Sequence, residues 1–222
     1  VPLAARLLFF LLHFVAMHTA NRSTYRLICW MIMAVCVTHA TIAQAWVLTI
    51  AGGSRRLFLQ VGNGTLDNNV ATVNQVSLSI AAAQLGNSTA LPMTSNSTQA
   101  NSPWDGFNVC VPASGQVYVG GYYRRANNAQ AASATLQVTS PANLTSAGGD
   151  VIPFTSISWT STALGNATAD IPPGTFSGGT QFLRTIAANT YVENCHTFSY
   201  ANTAVRAAGT YDGRVTYTMT SP

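Results

Sequence analysis

From residue 46 onward, apolar residues of this chain recur at every second position in short runs that stop at Gly, Pro or Asn, and no helical period persists over 11–18 residues. Leu57, Leu59 and Val61 alternate before Gly62-Asn63-Gly64. Val76, Leu78 and Ile80 alternate with serines, and Val117 and Val119 precede Gly120-Gly121. Leu136 and Val138 run up to Pro141, and Ile157 and Trp159 sit among Ser and Thr. A strand projects successive side chains to opposite faces, so this pattern describes half-buried strands with one apolar and one Ser/Thr-rich face. Many such strands at short spacing predict an all-β chain, a sandwich or a barrel. Cys195–Tyr200 reads as one strand. Tyr211–Thr220 reads as a long last strand whose buried face carries Tyr211, Val215, Tyr217 and Met219. Asn87–Asn101 and the stretch around Phe176 read as loops, and Ala81–Leu85 as at most a helical turn.

Residues 1–45 have a different character. Two apolar runs, Leu7–Met17 and Leu27–Val37, flank Arg22 and Arg26, and Ala43-Gln44-Ala45 closes the stretch. A basic segment, a short apolar segment and a small-x-small site together predict a secretory signal peptide, with Met17 as start and cleavage after Ala45. The second run is short for a bilayer span, which needs about 20 apolar residues, and this disfavours a membrane-anchored hairpin. The expected organisation is a 1–45 leader and one 46–222 domain, touching a membrane only through the leader before cleavage.

Charge changes meaning once the leader is set aside. The chain has a formal net charge of +4, but Arg6, Arg22 and Arg26 belong to the leader. Seven arginines then face six acidic residues, so no phosphate-binding surface is implied and nucleic acid is excluded as a partner. Cys110 and Cys195 are the cysteines outside the leader. An even pair in an exported chain predicts a structural disulfide, and a redox or metal-binding pair lacks CxxC spacing.

The residues for bond-making chemistry are sparse. His196 is the one histidine outside the leader, so no multi-histidine metal site forms and no metal or other cofactor is expected. Its expected place is a strand, facing solvent or hydrogen-bonded beside the disulfide. Gly-x-Ser-x-Gly does not occur, which leaves a serine triad without an anchor. Asp105, Asp150, Asp170, Glu193 and Asp212 are scattered, and Asp105-Gly106 and Asp212-Gly213 read as turns rather than a catalytic acid pair. Arg55-Arg56 and Arg124-Arg125 read as strand-edge charges. Trp104, between Pro103 and Asp105, is the candidate ligand platform for stacking on a sugar ring, against the commoner role of a core anchor beside Cys110.

Gly209-Thr210-Tyr211 leading into the Thr-rich segment Arg214-Val215-Thr216-Tyr217-Thr218-Met219-Thr220 resembles the last strand of bacterial pilin-type subunits, including spore-coat-U-like and archaic chaperone–usher pilins. That resemblance covers about the last 15 residues. It implies an immunoglobulin-like antiparallel β-sandwich, exported to the periplasm, cell surface or medium of a Gram-negative bacterium. It further implies a non-enzymatic structural or adhesive subunit that pairs with itself or with a periplasmic chaperone by β-strand addition. The other expected reading is a monomeric binding module, self-complete, with carbohydrate as its ligand class.

Overall fold

A computed structural model of the chain describes residues 48–68, 73–126, 131–164 and 168–222, all within one compact unit spanning Ala43–Pro222. The leader, its Ala45 boundary and Trp46 lie outside the described residues. The described residues form antiparallel strands with only short 3₁₀ turns between them, so this part of the chain is all-β.

The strands are β1 (Leu48–Thr49), β2 (Arg56–Val61), β3 (Val76–Ser77), β4 (Leu91–Pro92), β5 (Thr94–Ser95), β6 (Val117–Arg124), β7 (Ser133–Thr139) and β8 (Asn143–Ser146). They continue as β9 (Val151–Pro153), β10 (Ile157–Ser161), β11 (Gly174–Thr175), β12 (Thr180–Ala187), β13 (Thr190–Tyr200), β14 (Tyr211–Asp212) and β15 (Thr216–Thr220). The largest sheet runs β11-β10-β13-β6-β2, with β1 and β4 also paired to β13. Smaller sheets are β12-β7-β15, β14-β8-β9 and β3-β5.

β13 is the central strand of the large sheet, and its register separates two faces. Opposite residues share a face in an antiparallel pair. Tyr191, Glu193 and Cys195 stand opposite Tyr122, Gly120 and Tyr118, while Val192 and Asn194 stand opposite Gly121 and Val119. The inner set joins the main core. Val119, Tyr123, Val192, Phe198 and Tyr200 pack there with Leu136 and Val138 of β7 and Leu183 and Ile186 of β12. On the outer face, Ile50, Phe58, Tyr122 and Tyr191 form a second cluster, and Cys110, Tyr118 and Cys195 a third. Burying both faces of one strand explains why β13 does not read as clean alternation in the sequence.

Four expectations are corrected. Gly120-Gly121 does not end a strand: β6 runs through both, because each glycine has a neighbour lying where a side chain would be. A Cβ on Gly120 would come 2.2 Å from the Tyr118 hydroxyl, and one on Gly121 2.8 Å from Met219 Cε. The last strand is divided: β14 pairs with β8, whereas β15 pairs with β7. Gly213 lies at the break, where a Cβ would approach Leu144 and Phe154 to 2.7 Å, so the chain crosses close over these side chains as it changes sheets. Only Val76–Ser77 of the Val76–Ile80 alternation forms a ladder, although Leu78 and Ile80 still pack against the core. The segment around Phe176 is core rather than loop filler. Phe176 is 2 % exposed and sits 4.8 Å from the Trp159 ring.

Candidate functional site

Two places concentrate features beyond packing. The first is the pair of outer strands β2 and β15. β15 pairs along one edge, with β7, and β2 along one edge, with β6; the other edge of each carries no ladder among the described residues. The two strands are neighbours. Along them, Leu59 and Val61 of β2, Tyr217 and Met219 of β15, and Val215 just before β15 are half-buried against the main core. Tyr211, the remaining residue of the expected buried face, is also half-buried, and its hydroxyl donates to the Ala207 carbonyl at 2.8 Å. Arg55, just before β2, donates to Ser221 Oγ at 2.8 Å and to the main-chain oxygens of Ser221 and Pro222.

β15 is joined to the large sheet through His196. His196 is 0 % exposed, near the rings of Trp159, Phe198 and Tyr217, with Nδ1 3.3 Å from the Tyr217 hydroxyl. Nε2 has no hydrogen-bond partner among the described residues. Burial lowers its pKa from 6.5 to about 3, so the ring is neutral, and it also raises that of Tyr217. The expectation of a solvent-facing His196 is thus corrected: alternation along β13 directs it inward, away from the Cys195 side of the strand.

The second place is the outer face of the large sheet. Cys110 and Cys195 are joined as a disulfide across 85 positions, which holds the loop at residues 101–110 against β13. Tyr118 crosses over Gly120, and its hydroxyl meets both the Tyr191 hydroxyl and Glu193 Oε2, the latter at 2.8 Å. Ser102 of the loop adjoins Tyr191 and Glu193 and pulls the pKa of both downward. Burial raises the pKa of Tyr118, Tyr191 and Glu193, and the charge of Asp105 adds to the rise at Glu193, opposed by Tyr118 and Ser102.

Trp104 lies half-buried over this face, 5.8 Å from Tyr122 and 5.4 Å from Tyr191, so its ring is engaged by core aromatics. Beside it opens a cleft of about 250 Å³ lined by Asp105, Phe107, Asp170, Tyr191 and Glu193, among others. Three acids that are far apart in sequence meet there. Asp170 is ion-paired to Arg184 at 2.8 Å. The sequence carried no signal for this meeting, because it depends on the loop folding back from the disulfide. Among the described residues, no group of three or more His, Cys, Asp or Glu is arranged to hold a metal ion. Compared with protein-family models, with curated proteins and with solved structures, the chain matches none.

Proposed function

We propose that the chain is an exported, non-enzymatic structural or adhesive cell-surface subunit of fimbrial type. Its immunoglobulin-like sandwich accepts or donates a β-strand, pairing with a second copy or with a periplasmic chaperone. The observation that carries this reading is the state of β15: among the described residues it is laddered on one edge, next to a β2 edge that is likewise unladdered, with half-buried Tyr217 and Met219 packed on the core. An added strand would satisfy free main-chain groups and cover that apolar row together, which is how strand addition gains both affinity and register. The Tyr211 hydroxyl bond to a carbonyl four residues upstream supports that reading, since such sandwiches carry a tyrosine that bonds back to the main chain a few residues upstream. The close approach of β2 and β15 means that a strand added between them must part them. Leu48 pairs with Tyr191 and the Ile50 amide donates to the Asn189 carbonyl, so this stretch is held by the chain's own sheet.

The test compares unboiled and boiled protein on a denaturing gel, with electron microscopy of the same sample. Strand-complemented polymers run as a ladder that collapses on boiling and are seen as fibres. A single monomer band and no fibres, with candidate partner chains co-expressed, would reject assembly by strand addition.

A further inference from the structure

The turn that follows β2 is fixed by side-chain hydrogen bonds from distant parts of the chain. β2 ends at Val61, and Gly62-Asn63-Gly64 comes next. Gly62 takes φ +72°, and its amide donates to the Tyr118 carbonyl at 2.7 Å. The Asn63 amide donates to Asn74 Oδ1 at 2.7 Å. The half-buried Asn63 side chain reaches residues 97–99, where its Oδ1 accepts from the Thr98 amide at 2.7 Å, the Gln99 amide at 3.1 Å and the Ser97 hydroxyl at 3.2 Å. Donors gathered on one carbonyl oxygen polarise that carbonyl, and they are the groups an oxyanion formed there requires. Among the described residues, the Nδ2 group of the same side chain donates to no protein atom.

Asn63-Gly64 is the single Asn-Gly step in the chain. In such a step no side chain shields the following amide nitrogen, which is covalently close enough to attack the asparagine side-chain carbonyl carbon. Gln99 brackets both partners of that reaction: its amide donates to Asn63 Oδ1, and its Oε1 accepts from the Gly64 amide at 3.2 Å. The carbonyl to be attacked and the attacking nitrogen are thus both turned toward one residue. Ring closure forms a bond from the Gly64 nitrogen to Asn63 Cγ. The proton of that nitrogen passes to hydroxide, and the Cγ–Nδ2 bond breaks as Nδ2 takes up a proton and leaves as ammonia. Water then opens the succinimide at its Cγ–N bond and leaves an aspartate. A carboxylate oxygen in the place of Oδ1 keeps the same donors, and its charge strengthens those bonds. Opening at the other carbonyl gives isoaspartate, which routes the main chain through Cγ and takes the carboxylate out of the cradle.

We propose that Asn63 is a site of self-modification: in the folded protein it converts to aspartate through a succinimide with Gly64, while Ser97, Thr98 and Gln99 hold the developing oxyanion. The conversion adds one negative charge just beyond the end of β2. The site goes beyond the strand-addition reading and stands independently of it.

The experiment incubates the purified, folded protein at mildly alkaline pH and follows acidic species by isoelectric focusing, peptide mapping and ammonia release. A synthetic peptide of residues 58–68 is the unfolded reference. Aspartate at position 63 accumulates about tenfold faster in the folded protein than in the peptide, a part of the roughly hundredfold that one preorganised oxyanion donor supplies in an enclosed site. Ser97→Ala removes one donor and slows the conversion several-fold. Gly64→Ala shields the attacking nitrogen and suppresses it. Among the described residues Gly62 has a positive φ and Gly64 does not, so alanine at 64 keeps the backbone, and melting curves verify that both variants fold. Asn63→Asp melts no lower than the wild type at neutral pH, because the cradle accepts the product. Conversion no faster in the folded protein than in the peptide, a rate indifferent to Ser97→Ala and Gly64→Ala, or an Asn63→Asp variant that melts well below the wild type would overturn the inference.

Discussion

Removing the proton-accepting ring of His196 should flatten the acid sensitivity of the fold. The unfolded chain takes up a proton on this imidazole near pH 6.5, whereas the folded chain takes it up only near pH 3, because burial without a charge partner opposes the cation. The folded pKa is depressed, so the stabilising effect is fully present above pH 6.5 and is lost as pH falls toward 3. Each pH unit in that window removes about 1.4 kcal/mol, so a change from pH 6.5 to pH 4 removes about 3 kcal/mol. That is a large part of the roughly 5–15 kcal/mol that holds a domain together. The test variant is His196→Phe with Tyr217→Phe, the second change removing the hydroxyl that would lose its 3.3 Å partner. Urea midpoints at both pH values give the stability of each protein. The wild type should lose about 3 kcal/mol more than the double variant over this interval. Glu193 has a raised folded pKa and acts with the opposite sign: its effect is present below its unfolded value of 4.5 and is lost as pH rises through the folded value. Equal acid sensitivity in the two proteins, or an imidazole that titrates near 6.5 by NMR in the folded state, would refute the reasoning.

Gly120→Ala should destabilise the fold by about 1–3 kcal/mol in thermal melts, since its Cβ meets Tyr118 Oη at 2.2 Å and Glu193 Cβ at 3.0 Å. Gly148→Ala, with nothing nearer than 3.6 Å, should stay within about 0.5 kcal/mol. Replacing Cys110 and Cys195 together with Ala should cost up to about 4–5 kcal/mol by chain entropy for a closed loop of this length, measured by denaturant unfolding. Tyr217→Asp should cost at least about 3 kcal/mol by placing a carboxylate beside His196 and the core, and should prevent stable accumulation; normal yield and melting would remove Tyr217 from the packed face.

The all-β character is legible in the sequence wherever one strand face is buried and the other is wet. β7 shows this most clearly: Ala134, Leu136 and Val138 point inward between half-buried polar residues, and the period of two is visible by inspection. The same reading fails where burial is two-sided or where glycine acts through a distant contact. Gly120 and Gly121 resemble a turn until the Tyr118 hydroxyl and Met219 occupy the space above them. Val76–Ile80 keeps an apolar period beyond the end of its ladder, because alternation reports which side is dry and not which backbone groups are paired. The division between β14 and β15 is equally silent, since Gly213 matters only through Leu144 and Phe154. Of the cleft, Trp104 and the disulfide pair could be picked out as residues. The contact of Tyr118, Tyr191 and Glu193 could not, because it follows from the β6–β13 register and from a loop closed across 85 positions.

The most direct test of the strand-addition account is hydrogen–deuterium exchange on the isolated chain and on the same chain after assembly or chaperone capture. The account predicts that amides of β15 and β2 exchange much faster than those of β13 and β6 in the isolated chain, and become strongly protected once a strand is added. Unchanged exchange along β15 and β2 on assembly, or protection of β15 equal to that of β13 in the isolated chain, would contradict it.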